Sequence, residues 1–269
     1  MFKKLIAVLF ILVMSVSVCY AGAETEAIKN DKSDSLFQAA LLQSLMSGVF
    51  DGFVSVKDIK NYGDTGIGTF QSVNGELIML DGEVYQALWD GSVKIASDTE
   101  TVPFCNVTFF DSDIINENVS AKSITELKSK LNEIVNVQGK NQFYMAKLTG
   151  EFNSILVRSE LAQEKPYKTL DEALKTDQRE FTYENLKGVV VALYCPAYMN
   201  GLNSPGWHLH FISQDKTKGG HVLELNTSSC KVEMDIMSGF SMILPNDTVF
   251  NDKDLSIEMS ERIQQVEGK

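Results

Sequence analysis

All three histidines of the chain, His208, His210 and His221, fall within a single fourteen-residue window. If that window folds as two antiparallel strands, His208 and His210 point to the same face, because side chains two apart share a side of a strand. The number of residues between them lets His210 sit opposite His221, with Asp215-Lys216 near the tip, and Gly219-Gly220 gives the returning strand backbone freedom. Three neutral imidazoles on one face form an open tetrahedral Zn²⁺ site whose fourth position is left for water or substrate. Other metals accept the same ligands, and three unrelated histidines remain the alternative reading of the spacing.

The elements that must carry this window are mainly strands. Glu76 to Leu80 and Glu83 to Trp89 flank Asp81-Gly82, a strong two-residue hairpin signal. Phe104 to Phe110, Phe143 to Leu148, Phe152 to Arg158, Gly188 to Cys195, Trp207 to Ser213, Gly220 to Leu225, Lys231 to Met234 and Phe240 to Leu244 also read as strands. Three helices are expected. Ser35-Leu36-Phe37-Gln38 resembles a capping box opening a helix along Phe37, Leu41 and Leu45 up to Gly48. Ser123-x-x-Glu126 and Thr169-x-x-Glu172 open the other two. Hairpins outnumber crossover helices, so the class is α+β: two packed lobes on mostly antiparallel or mixed sheets, with the histidines in the C-terminal lobe. The expected division is 35–165 and 166–269, with the seam in the Gln163 to Glu184 stretch.

Residues 1–23 read as a secretory signal peptide: Lys3-Lys4, an apolar run from Leu5 to Val18, then Ala21-Gly22-Ala23. Export to the periplasm or medium is expected, with a flexible polar leader over 24–34. An uncleaved anchor and lipid attachment at Cys19 are the lesser alternatives, the latter disfavoured by the bulk of Val18 before it. The formal charge is −12, and loss of Lys3 and Lys4 makes it −14. That balance argues against nucleic acid or an anionic membrane as partner. Cys105, Cys195 and Cys230 remain after processing, an odd number, so at least one thiol is unpaired within the chain. A Cys105–Cys230 bridge and buried reduced cysteines are both compatible with the sequence.

A set of ordered motifs spans nearly the whole mature chain: Leu36-Phe37-Gln38, Gly48-Val49-Phe50-Asp51-Gly52, Gly63-Asp64-Thr65-Gly66-Ile67-Gly68-Thr69-Phe70, Gly75-Glu76-Leu77, Leu80-Asp81-Gly82-Glu83, Gln163-Glu164-Lys165-Pro166-Tyr167 and Tyr198-Met199-Asn200-Gly201. With the histidine window, this set resembles the α-acetolactate decarboxylase family. The resemblance implies a zinc-dependent lyase that takes the small molecule acetolactate to acetoin and carbon dioxide, zinc stabilising an enediolate that a glutamate protonates. It also implies His208, His210 and His221 as metal ligands, Glu76 and Glu267 as active-site carboxylates, Arg158 as the active-site arginine and Thr69 as a pocket residue. Trp207 stands where the family more often carries tyrosine, and Leu202-Asn203-Ser204-Pro205 departs in the loop before it.

Apart from the resemblance these positions have plainer meanings. Glu76 is a strand carboxylate, Glu267 lies near a chain end, and Thr69 belongs to a Gly-rich turn or strand. Arg158 is one of three arginines against twenty-one lysines, which favours a task needing a planar two-pronged donor. A zinc hydrolase with Glu76 as base and a non-catalytic metal-stabilised binding protein are the rival readings. No His-Glu-x-x-His signature supports the first. A homodimer is compatible with the sequence, as is a protein without stable membrane insertion after processing.

Overall fold

The computed structural model describes residues 34–257 and 259–267, and only the backbone of Gln264 and Glu267. The expected signal segment lies outside the described residues, as does all of the leader before Asp34. Among the described residues no helix is long and apolar enough to cross a membrane.

The strands are β1 (Ser35–Ala39), β2 (Val54–Ser55), β3 (Thr65–Thr69), β4 (Glu76–Leu80), β5 (Glu83–Ala87), β6 (Val93–Ile95), β7 (Thr101–Val102), β8 (Phe104–Thr108), β9 (Ile114–Ala121), β10 (Phe143–Glu160), β11 (Gln178–Cys195), β12 (Gly206–Ser213), β13 (Gly219–Met237) and β14 (Gly239–Ile243). The helices are α1 (Leu42–Met46), α2 (Val56–Ile59), α3 (Ile124–Gln138), α4 (Leu170–Asp177), α5 (Thr248–Asn251) and α6 (Ser260–Glu267).

Two large sheets dominate this α+β fold. The first runs β14-β1-β8-β3-β4-β5-β6 and is mixed, because β1 and β14 are parallel. In the second, β10 pairs with β11 and β13, and β12 pairs with the same two, so four strands close a ring to which β9 adds on β13. The sheets do not follow the expected seam. β9 and β10 precede residue 165 yet belong to the second sheet, and β14 returns to the first.

An apolar layer of Leu36, Ile67, Ile78, Leu80, Met145, Val191, Leu193 and Ile212 joins the sheets, with β12 and β13 against β4. The other faces bury separate clusters. Leu77, Met79 and Val107 pack behind the first sheet, while Leu127, Leu131 and Val135 of α3 pack on the second. The three described cysteines are reduced and buried in different clusters, Cys105 behind the first sheet, Cys195 between the sheets and Cys230 against α3.

Local sequence signals explain several boundaries. Asp81 and Gly82 both have positive φ, at 52° and 83°, as a tight hairpin turn between β4 and β5 requires. Ser123 Oγ accepts the Glu126 N–H at 3.1 Å to open α3, and the Thr169 N–H donates to the Glu172 carboxylate at 3.2 Å at the start of α4. The helix expected from Ser35 is corrected. Residues 35–39 are a strand between β14 and β8, with Leu36, Phe37 and Ala39 all buried, and only 42–46 are helical. A strand buried on both faces carries a continuous apolar run, so the recurrence of Phe37, Leu41 and Leu45 mimics helical period.

Candidate active site and metal centre

The histidine hairpin forms as its spacing predicts. His208 and His210 lie on β12, and His210 is the direct cross-strand partner of His221 on β13. Arg158 on β10 is in turn the partner of His221. A register shift in β13 between Glu224 and Val222 sets that pairing, and such bulges re-aim side chains. Gly220 has φ 146°, and a Cβ there would stand 2.5 Å from the Arg158 carbonyl oxygen, so the close crossing of β13 and β10 needs glycine. On the first sheet Thr69 of β3 and Glu76 of β4 are also direct partners.

Each sheet thus supplies one row of the site, and the rows meet where the sheets pack. His208 Nε2 lies 3.0 Å from His210 Nε2 and 3.0 Å from His221 Nδ1. Glu76 Oε2 approaches His210 Nε2 at 3.4 Å. The His210 Nδ1–Leu77 O distance of 2.9 Å fixes Nδ1 as donor, which leaves the lone pair of Nε2 turned to the cluster.

The cluster fits a divalent metal ion. Its ligand atoms all lie within 4.8 Å of one another, and all three residues are buried. Tetrahedral metal–nitrogen bonds would separate such nitrogens by about 3.3 Å, close to the 3.0 Å between His208 and each of the other two. Burial also keeps the rings neutral, as ligands must be. It lowers His208 to about 3, with the nearby Arg158 charge adding to the effect. Burial, then His208, lowers His210 well below the usual histidine range, and burial, then Arg158, does the same to His221.

Thr69, Glu76, Arg158, His208 and His221 line one tight cavity of about 30 Å³. Its other wall is apolar, made by Leu42 and Leu45 of α1, Phe104 of β8, and Leu170 and Leu174 of α4. Thr69 Oγ1 donates to the Gly75 carbonyl at 2.8 Å, so it braces the turn that presents Glu76. Arg158 Nη2 donates to the Val266 carbonyl at 2.8 Å, a group near the C-terminus of α6 that has no partner within the helix. Glu267 follows Val266, but its side chain lies outside the described atoms.

One polar residue of the cavity was not singled out from sequence. Glu160, two residues beyond Arg158 on β10, is buried, lines the cavity and brings Oε1 to 3.4 Å from Arg158 Nε. Its signal was the Arg-x-Glu alternation, which on a strand puts both side chains on one face.

Residues 36–257 match the profile of the alpha-acetolactate decarboxylase family. The chain belongs to that family. An alpha-acetolactate decarboxylase from Methanosarcina mazei is 38% identical over 240 residues, covering 89% of this chain and 82% of the relative. The Bacillus subtilis alpha-acetolactate decarboxylase is 33% identical, covering 89% and 93%. A crystal structure of the latter superposes with a TM-score of 0.84, over 87% of this chain and all of that one. A Staphylococcus aureus protein described as similar to alpha-acetolactate decarboxylase superposes at 0.81 with 27% identity. The family match covers the three histidines, Thr69, Glu76 and Arg158, and ends before α6.

Proposed function

We propose that the protein converts 2-acetolactate to acetoin and carbon dioxide in this cavity, with zinc held by His208, His210 and His221. The observation that carries the proposal is the meeting, across two sheets, of a neutral three-histidine cluster with Glu76 and Arg158. The family membership supports the substrate and the three-imidazole donor set supports zinc.

The chemistry follows from the substrate. Acetolactate carries its carboxylate on the carbon next to a ketone, so the electrons left by departing carbon dioxide can flow into the carbonyl as an enediolate. Bound zinc would supply Lewis-acid stabilisation of negative charge on oxygen. Arg158 holds the substrate carboxylate and sets the direction in which the carbon–carbon bond breaks. Leu42, Leu45, Phe104, Leu170 and Leu174 receive the methyl groups and exclude water. A carboxyl proton, on Glu76 Oε2 or on Glu267, then goes to the substrate carbon to complete acetoin.

The test is direct. Zinc-loaded protein incubated with racemic acetolactate is expected to release acetoin and carbon dioxide in equal amounts, far faster than spontaneous decay. Acetoin formation no faster than in buffer removes the reading. The motif at Lys3 to Ala23 supports export as part of this proposal, and a mature protein whose N-terminal residue lies near Glu24 is the expected finding.

A further inference from the structure

We infer that Glu160 acts through Arg158 to weaken the site's grip on the substrate carboxylate, and so speeds decarboxylation. The inference rests on the reading that Arg158 holds that carboxylate. Loss of carbon dioxide moves negative charge off the carboxylate onto the neighbouring oxygen. A fully uncompensated guanidinium beside the carboxylate therefore favours the bound substrate over the transition state, which lowers kcat while tightening binding. The effect would be large here, because Arg158 is only 5% exposed and water screens little in such a place.

Glu160 meets the requirements for offsetting that charge. It is 6% exposed, shares the cavity face of β10 with Arg158, and brings Oε1 to 3.4 Å from Nε. That approach is to the Nε edge, while Nη2 is engaged with the Val266 carbonyl at 2.8 Å. The Val266 carbonyl of α6 holds Nη2 by a hydrogen bond, while the Glu160 carboxylate, from the same strand, stands at ion-pair distance from Nε without a hydrogen bond to it. Orientation of the substrate is kept, and the electrostatic hold on it is reduced.

A partner that merely props Arg158 in place would behave differently, and steady-state kinetics separate the two roles. In the full-length zinc-loaded protein, Glu160→Gln keeps the side-chain shape and removes the charge. The expected result is an unchanged zinc content, a KM about tenfold lower and a kcat at least about tenfold lower. The inhibition constant of 2-hydroxyisobutyrate, a 2-hydroxy acid with no ketone to accept electrons, should fall by a similar factor. The fall should vanish when Glu160→Gln is made on an Arg158→Gln background, since the effect runs through the guanidinium. A KM and inhibition constant that stay level or rise in Glu160→Gln overturn the inference.

If Glu160→Gln does not fold, Glu160→Asp provides the same reading on a smaller scale. Its carboxylate sits one methylene farther from Nε, so 2-hydroxyisobutyrate should bind tighter than to the wild type, and weaker binding overturns the inference. Failure of the wild type to make acetoin would instead remove the proposed function, and the direct binding of 2-hydroxyisobutyrate to wild type and variant would still decide what Glu160 does to carboxylate affinity.

Discussion

Arg158 and His221 are direct partners across the β10–β13 ladder, and His221 is the direct partner of His210 across β12–β13. The proposed substrate-holding group and two of the proposed metal ligands therefore lie in one row perpendicular to three strands, spaced by backbone hydrogen bonds instead of by loops. Relative placement on such a row is as stiff as the sheet itself, which is what orientation of a small substrate needs.

Each of His208→Ala, His210→Ala and His221→Ala should leave a folded protein that has lost its metal and its turnover. An open three-ligand site has no spare imidazole among the described residues. The loss of metal affinity should exceed the roughly 10–100-fold that follows loss of an outer hydrogen-bond partner. Elemental analysis after gel filtration measures this, and near-stoichiometric zinc in all three variants would eliminate the site.

Arg158→Lys should keep its zinc and lose activity by about tenfold or more, because a point ammonium cannot serve the Nε edge toward Glu160 and the Val266 carbonyl together. Full activity with unchanged KM would show that the guanidinium does not handle substrate.

Glu267→Gln should reduce kcat by about a hundredfold or more if its carboxyl supplies the proton, with little change in melting temperature. Wild-type kcat in this variant at saturating acetolactate and equal zinc content would leave Glu76 as the proton donor. Deleting Val266 to Lys269 is a blunter change than the position near a chain end suggests. Val266 is buried with Ile263 against α1 and α4, and its carbonyl holds Arg158. The truncation is expected to lower the melting temperature as well as turnover.

Asp235 gives the protein a pH-dependent stability distinct from its site. Burial, with the charges of Asp113, Asp111 and Asp34 outweighing a backbone N–H from Asp111, pushes its carboxyl from 3.8 up to about 8. Between those values the folded protein keeps a proton that the unfolded chain has released. Stability from this group is therefore complete below about pH 4 and is lost as pH rises through about 8. Asp235→Asn should flatten the fall in melting temperature between pH 5 and pH 8 and raise it at pH 8 by several degrees, since about 1 kcal/mol shifts a domain of this size by ~2–4 °C. An identical pH slope in wild type and variant, read by calorimetry, would discard the assignment.

The parts of the site legible in the sequence were those set by parity along single strands. Two-residue spacing put His208 and His210 on one face, and the count to His221 returned it opposite His210. The Asp81-Gly82 turn and the caps at Ser123 and Thr169 were equally local. What stayed hidden depends on long-range packing. The approach of Glu76 to His210 joins different sheets, and Glu160 looks like an ordinary surface carboxylate until its burial is known. β9 and the first half of β11 are polar strands whose alternation is too weak to declare them, and β1 is buried on both faces, so its period misleads. The roles of Thr69, Glu76, Arg158 and Glu267 came from the family resemblance, because residue type alone assigns none of them.

The three described cysteines make the fold a set of sealed compartments that can be timed separately. Cys105 sits behind the first sheet, Cys195 between the sheets and Cys230 beneath α3; burial pushes the thiols of Cys105 and Cys230 up to about 12 and 11 and raises that of fully buried Cys195 as well, so all three are poor nucleophiles while buried. A thiol reagent reaches each sulfur only while its own layer is open. Labelling at Cys195 would therefore clock separation of the two sheets, the motion that pulls Glu76 away from His210, independently of the breathing of either outer layer.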